Sequence, residues 1–301
     1  MFGTGDRFEY VECSSCGTLQ ICDIPDLSAY YPPEYCSFEL DYFDPKKSAA
    51  RDFAIRSAAE YFVNGRNMIG KAIAAWRPVL AESFPAFLRT KLLRLTLRSR
   101  ILDVGCGSGR LLMTLRHFGF DKLRGADPFV EHAIRYDNGV AIDKCEIDDV
   151  TGTFDLVMFH HSLEHVSHPV SALKNAYRLL DPGRYCLVRI PVVAAAWEIY
   201  RENWVQLDAP RHLSIFTEEG FRSAAGQAGF LVEHVVYDST EFQFWGSEQV
   251  IRGLSVRDGW AGGLEYLRKA FGEKMDEWKY RSQELNMNGL GDQACFYLRR
   301  N

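Results

Sequence analysis

The chain has 301 residues, a formal charge of −5, apolar and charged fractions of 47% and 25%, and 8 cysteines. That length accommodates one large α/β domain plus an appendage, and the mildly acidic balance argues against a general nucleic-acid binder, which carries a strong basic excess. No apolar run of about eighteen residues occurs and no basic-then-apolar leader opens the chain, so neither a membrane span nor secretion is expected, and a cytoplasmic protein is.

Residues 1–45 are rich in Cys, Tyr, Pro and Asp, include the turn-like Tyr31-Pro32-Pro33-Glu34, and read as an irregular lead-in. A helical pattern runs over 46–98. Near its end Phe84, Leu88, Leu92 and Leu95 recur at helical spacing, while Lys91, Arg94 and Arg98 take another face, either solvated or turned to a membrane surface. From residue 99 the texture changes. Arg100–Val104 is a strand, and Ser108–Phe118 a helix stopped by Gly119. Lys122–Ala126 is a second strand, Phe129–Tyr136 a short helix and Val140–Asp143 a third strand. Phe154–Phe159 is an apolar run broken only by Asp155, as suits a strand buried on both faces. A helix over Pro169–Leu180 and a strand at Tyr185–Ile190 follow. Thr217 caps a helix over Glu218–Ala228, Phe230–Tyr237 is a strand, and a partly helical insertion of about 247–286 precedes a last strand, Ala294–Leu298. Strands alternating with helices imply a doubly wound α/β sheet over residues 99–301, covered on both faces.

The cysteines at 13, 16, 22, 36, 106, 145, 186 and 295 are four near the start and four in core-like segments, a cytosolic pattern rather than a disulfide framework. The most informative stretch is Asp103-Val104-Gly105-Cys106-Gly107-Ser108-Gly109. Glycines between a strand and a helix let the backbone turn sharply and approach a ligand, and the free N–H groups at the helix start favour a polar or anionic group. The spacing departs from the dinucleotide fingerprint, because Arg110 stands where its third glycine belongs, and no P-loop lysine follows. This disfavours a nicotinamide-dependent oxidoreductase. Asp103 suits a ligand bearing an ammonium, and Asp127, closing the second strand, a ribose.

Leu102–Gly109 followed by Gly125-Ala126-Asp127 resembles motifs I and II of class I S-adenosylmethionine-dependent methyltransferases, in their small-molecule branch, over about residues 98–240. The resemblance implies a seven-stranded Rossmann-like sheet and S-adenosyl-L-methionine as cofactor. It assigns Asp103 to the methionine ammonium, directly or through water, and the backbone of Gly105, Cys106, Gly107 and Gly109 to the methionine and ribose. Asp127, with Pro128 beside it, takes the ribose hydroxyls. Family members often carry Gly-Asp after the third strand, near the adenine amine; here Cys145-Glu146 stands there, making Glu146 the candidate contact. His160 is expected to line the cofactor pocket.

The buried strand runs into His160-His161-Ser162-Leu163-Glu164-His165-Val166. His161-x-x-Glu164-His165 matches an inverted zinc-protease signature, but that chemistry needs one long helix, and here a strand leads directly into the motif. The loop is similar to the Leu-Glu-His-Val segment of small-molecule methyltransferases. Methyl transfer to a hydroxyl requires alignment and proton removal, which makes His165 and His161 candidate bases. Alternatively Glu164 pins the loop by accepting backbone N–H bonds, with one histidine supporting it.

A second polar cluster follows the fifth strand: Trp197, Tyr200 and Trp204, then Asp208-Ala209-Pro210-Arg211-His212. The Asp-x-Pro-Arg-His segment, continuing to Phe216-Thr217, is similar to one in bacterial methyltransferases of sugar and polysaccharide biosynthesis clusters. His212 is a third candidate base. Trp204, Asp208 and Arg211 are candidate substrate contacts, with Arg211 either anchoring a phosphate or carboxylate or pairing with Asp208. Tyr10–Gly17, with Cys13 and Cys16, looks like the second half of a zinc knuckle. Four ligands are needed and the upstream pair is missing, so no metal is expected there unless Cys22 and Cys36 complete the set.

The expected function is therefore methyl transfer to a small polar acceptor, a hydroxyl of a sugar or related metabolite. Alternatives are carbon methylation of a nucleotide-linked keto sugar and a non-catalytic S-adenosylmethionine-binding module. Nucleic acid is not an expected partner, since the Asn/Asp-Pro-Pro-Tyr/Phe signature of nitrogen methylation is absent after the fourth strand.

Overall fold

The computed structural model describes residues 6–31 and 48–301. Strands β1 (Tyr10–Glu12) and β2 (Leu19–Ile21) form an antiparallel hairpin. Helices α1 (Ala49–Asn64), α2 (Met68–Trp76) and α3 (Pro78–Ser83) follow. The alternating part comprises β3 (Arg100–Val104), α4 (Arg110–His117), β4 (Lys122–Ala126), β5 (Ile134–Arg135), β6 (Ala141–Asp143), β7 (Phe154–His160), α5 (Pro169–Leu179) and β8 (Leu180–Pro191). Then come α6 (Ala195–Tyr200), β9 (Ser214–Ile215), α7 (Glu218–Gln227), β10 (Phe230–Tyr237), α8 (Phe242–Ile251), α9 (Val256–Phe271), α10 (Lys274–Met287) and β11 (Gln293–Arg300).

The main sheet has eight strands in the order β10-β11-β8-β7-β3-β4-β6-β5. β6, β4, β3, β7 and β8 are parallel, and β11 runs antiparallel between β8 and β10. The expected seven-stranded, doubly wound sheet is present, with the two-residue β5 as an added edge strand. The local chemistry explains the elements. β7 is buried from Phe154 to Phe159, as a central parallel strand must be. Pro169 opens α5 where its missing N–H is harmless, and the Thr217 side chain caps α7 by accepting from Gly220 N at 3.0 Å. One face of the sheet packs on Leu173, Ala176 and Phe221 of α5 and α7, the other on Ile55, Val63, Leu112 and Leu115 of α1 and α4. A third cluster, built on Trp204, Phe244 and Trp278, lies under α8–α10.

Three readings change. Phe129–Tyr136 is not a helix: its backbone is a turn leading into β5, and Asp127 Oδ1 accepts the Phe129 N–H at 2.8 Å in an Asx-type bond that competes with helix formation. The helical pattern over 46–98 stops at Ser83, because Pro85 disfavours helix in the residue before it and Phe84 is extended. Phe84, Leu88 and Leu95 are buried from turns and a one-turn helix, so Lys91, Arg94 and Arg98 share no helix face. The lead-in, read as irregular, contains the β1–β2 hairpin, and β2 pairs with β9 into a second, three-stranded sheet. The expected turn beyond Tyr31 and Cys36 lie outside the described residues. Among the described residues no helix is long and apolar enough to cross a membrane.

Candidate active site

β3 and β7 pair in parallel with Val104 beside Phe159, so their carboxyl ends open onto one crevice, where doubly wound sheets bind ligands. In the turn after β3, Gly105, Gly107 and Gly109 have φ of 71°, 54° and 86°, left-handed values that favour glycine. At Gly105 the cause is also steric: an added Cβ would stand 2.4 Å from Ser162 Cβ. Ser162 Oγ in turn donates to Val104 O at 2.6 Å. The missing side chain at Gly105 therefore also makes room for the loop after β7.

Asp103 is 3% exposed, and its Oδ1 has no hydrogen-bond partner. Burial, reinforced by the neighbouring Asp127, lifts its pKa to about 8. A buried carboxyl in this condition becomes a carboxylate when a cation reaches it, and an amino-acid ammonium is such a cation. Asp127 accepts from Gly107 N at 2.7 Å through Oδ2 and from Phe129 N through Oδ1, so it clamps the glycine turn to the end of β4. Burial raises its pKa while those two N–H groups lower it. Each carboxylate oxygen can accept a second hydrogen bond, which is the capacity a ribose diol uses. The Phe129 ring stacks on Tyr31 at 5.6 Å.

A cavity of about 720 Å³ opens at this crevice. It brings together Asp103, Gly105, Cys106, His160, His161, His165, Asp208 and His212, with Glu164, Gln206, Phe87 and Gln293 also on its walls. Gly107, Gly109, Asp127, Pro128, Glu146, Trp204 and Arg211 do not line it. Glu146 is exposed, at the start of the one-turn helix Ile147–Asp149.

The histidines are held differently from one another. Arg189, on β8, is tied to Asp238 at 2.7 Å and reaches His161 Nε2 at 2.5 Å and His160 Nε2 at 3.4 Å. A guanidinium only donates, so His161 accepts at Nε2 and carries its proton on Nδ1. Burial and the Arg189 charge lower the His161 pKa to about 3, and Arg189 already engages its Nε2 lone pair. His160 is lowered well below the usual range for the same first reason, burial. His165 Nδ1 lies 2.9 Å from Arg211 O and 3.2 Å from Tyr31 Oη, and His212 Nδ1 lies 2.6 Å from Gln206 O. Carbonyls only accept, so both rings carry the proton on Nδ1 and keep the Nε2 lone pair. Their centroids are 4.8 Å apart. Burial lowers the His165 pKa, so this ring is neutral near pH 7.

Two loops are stitched together here. Leu213 N donates to Glu164 O at 2.7 Å, Ile21 N of β2 donates to Leu213 O at 3.0 Å, and Tyr10 Oη donates to His212 O at 2.7 Å. Glu164 was expected to pin its loop through its carboxylate. The pin is instead its main-chain oxygen, and the carboxylate, 1% exposed, has no hydrogen-bond partner on either oxygen.

The substrate contacts expected from the second cluster divide. Asp208 lines the cavity, but Arg211 is 2% exposed and its guanidinium is engaged by Asp208, so it braces the loop instead of facing a ligand. Trp204 is 1% exposed and donates from Nε1 to Asp292 at 3.0 Å, a core position that cannot stack on a substrate. Cys13, Cys16 and Cys22 carry free thiols, and the Cys16 thiol donates to Thr18 Oγ1 at 3.3 Å. The sequence reading missed Arg189, Tyr31, Tyr10 and Gln293. Arg189 had a signal, a cation inside an otherwise apolar strand; Tyr10 and Tyr31 act over separations that no local pattern records.

A profile for the methyltransferase domain matches residues 73–235, more than half of the chain. The chain belongs to the methyltransferase family. Its cofactor is S-adenosylmethionine, whose ammonium would find Asp103 and whose ribose would find Asp127. This methyltransferase is 32% identical over 94 residues to the ubiquinone biosynthesis O-methyltransferase of Pseudomonas aeruginosa, covering 28% of this chain and 40% of that protein. It is 32% identical over 102 residues to the mitochondrial ubiquinone biosynthesis O-methyltransferase of Saccharomyces cerevisiae, covering 28% and 30%. The chain thus spans less than half the length of these curated relatives. Among solved structures, a S-adenosylmethionine-dependent methyltransferase from Mesorhizobium loti aligns at 18% identity over 69% of this chain and 95% of that one, with a TM-score of 0.45. Mycolic acid cyclopropane synthase aligns at 16% identity over 80% and 88%, also at 0.45. Bound S-adenosylmethionine supplies an electrophilic methyl group. Asp127 holds the glycine turn, and Asp103, which lines the cavity, would neutralise the ammonium of the bound cofactor.

Proposed function

We propose that this methyltransferase moves the methyl group to a hydroxyl oxygen of a small polar acceptor, a sugar or related metabolite, in the cytoplasm. The observation that carries this reading is the cluster of Glu164, His165 and His212, which faces the same cavity as Asp103 and offers lone pairs rather than protons. A hydroxyl entering the cavity has a proton to give, and these groups are arranged to receive it. As the oxygen–carbon bond forms and the carbon–sulfur bond breaks, the hydroxyl proton passes to Nε2 of His165 or His212 and S-adenosylhomocysteine is left. Methylation of oxygen is also the activity for which the ubiquinone-biosynthesis relatives are named. A sugar-like acceptor draws on the likeness of Asp208–His212 to sugar-pathway methyltransferases. The free thiols of the described cysteines fit a reducing compartment.

The test is S-adenosylhomocysteine release across a panel of hydroxylated metabolites and sugar nucleotides. His165→Ala and His212→Ala are expected to slow turnover about a hundredfold, the scale of general-base catalysis, with the dissociation constant of S-adenosylhomocysteine unchanged. Transfer only to a carbon of a keto sugar would replace the hydroxyl reading.

A further inference from the structure

We propose that Glu164, His165 and His212 form a resident binding site for one divalent transition-metal ion, zinc, iron(II), manganese or cobalt in type. This inference rests on the reading above for the place of the acceptor, and changes what draws the proton from it.

One ligating atom from each of the three side chains lies within 4.8 Å of the other two. That is the spacing of groups able to close on a single ion, with metal–nitrogen and metal–oxygen bonds of about 2.0–2.2 Å. Two independent features point to a cation. The Glu164 carboxylate is 1% exposed, and among the described residues neither of its oxygens has a hydrogen-bond donor. His161 Nδ1 is 3.6 Å from Oε1, beyond hydrogen-bond reach. Secondly, both cluster imidazoles donate Nδ1–H to a main-chain carbonyl, Arg211 O and Gln206 O. This fixes the tautomer and leaves Nε2 as the ring nitrogen with a lone pair to offer, the arrangement by which metal-bound histidines are usually oriented.

The site therefore gathers a buried carboxylate without a donor among the described residues and two imidazoles that each keep a lone pair, a set that a positive charge at its centre would satisfy. Two imidazoles and one carboxylate select borderline transition metals over magnesium or calcium, which prefer all-oxygen sets. Three protein ligands leave positions open for an acceptor hydroxyl on the cavity side. Coordination there lowers the hydroxyl's pKa, its proton leaves to water, and the resulting alkoxide oxygen is the atom methylated. Asp208, whose Oδ2 is 3.8 Å from His212 Nε2, stands next to the site as a further oxygen.

The test uses the full chain stripped with chelator and titrated with cobalt(II), zinc as competitor. Wild type is expected to bind one equivalent, with visible d–d absorption free of thiolate charge-transfer bands, and to keep it when Cys13 and Cys16 are changed to Ser. Glu164→Gln and His212→Ala should each weaken cobalt affinity more than about tenfold, while S-adenosylhomocysteine binding, which reports an intact fold and cofactor site, stays unchanged. No cobalt or zinc bound by wild type, or binding unmoved by both substitutions, overturns the metal. In that case a hydroxyl methylation that persists in excess chelator and is lost in His165→Ala keeps the proton-acceptor reading, with a shared proton holding the cluster together.

Discussion

Asp103 shows how one buried residue couples ligand affinity to acidity. Its pKa in the ligand-free fold is lifted to about 8, above the ordinary 3.8, so in this state the fold holds the proton more tightly than the unfolded chain does. The stability this group contributes is fully present below its unfolded pKa and is lost as pH rises through 8. An ammonium-bearing ligand reverses the preference, because it binds the carboxylate. Affinity for S-adenosylhomocysteine is therefore expected to rise about tenfold per pH unit from 6 toward 8, and the slope to vanish in Asp103→Asn. Calorimetric titrations at three pH values decide it; a flat profile in wild type would detach Asp103 from the ligand. Other residues were legible only by type. His161 and His165 look equivalent in the chain, yet Arg189 faces one and a carbonyl the other, and no spacing rule announces that difference.

Among elements, the parallel strands and their helices were readable because β7 and β3 are mostly apolar and are followed by a polar loop or a glycine turn. The misread pieces are those where a local pattern lost to tertiary contacts. Phe84, Leu88 and Leu95 keep helical spacing and are buried as predicted core, but from turns shaped by Pro85 and by packing on Phe118 and Phe62. The β1–β2 hairpin is the other case. With only three residues in each strand, it gains its permanence from β9, and through Tyr10 Oη and Ile21 N it sets the height of the His212 loop. Tyr10→Phe is expected to cost about 1 kcal/mol of stability and to lower kcat several-fold while leaving the S-adenosylhomocysteine affinity intact. Denaturant melts and steady-state rates read the two effects separately, and an unchanged kcat would mean that the loop holds its position without the hairpin.

At the scale of the whole molecule, the proposed cofactor site would join the turn after β3, the end of β4 and the loop after β7, segments that leave the same sheet edge. A ligand bridging them favours the folded state by mass action. S-adenosylhomocysteine at about a hundred times its dissociation constant is expected to add about 2.7 kcal/mol, a melting shift of several degrees by scanning calorimetry. NAD at the same concentration should produce none; the opposite ranking would return the glycine turn to dinucleotide chemistry.

β11 occupies the slot between β8 and β10, and Gln293 at its start is part of the cavity wall. During synthesis the two flanking strands emerge before β11 and must wait, apart, for the segment that joins them. Until then Cys186, Leu187 and Val188 have one side unpartnered, a sticky edge of the kind that recruits other strands. A nascent copy is thus aggregation-prone until β11 is in place, and a chain cut before Gln293 is expected to show insolubility before it shows lost chemistry.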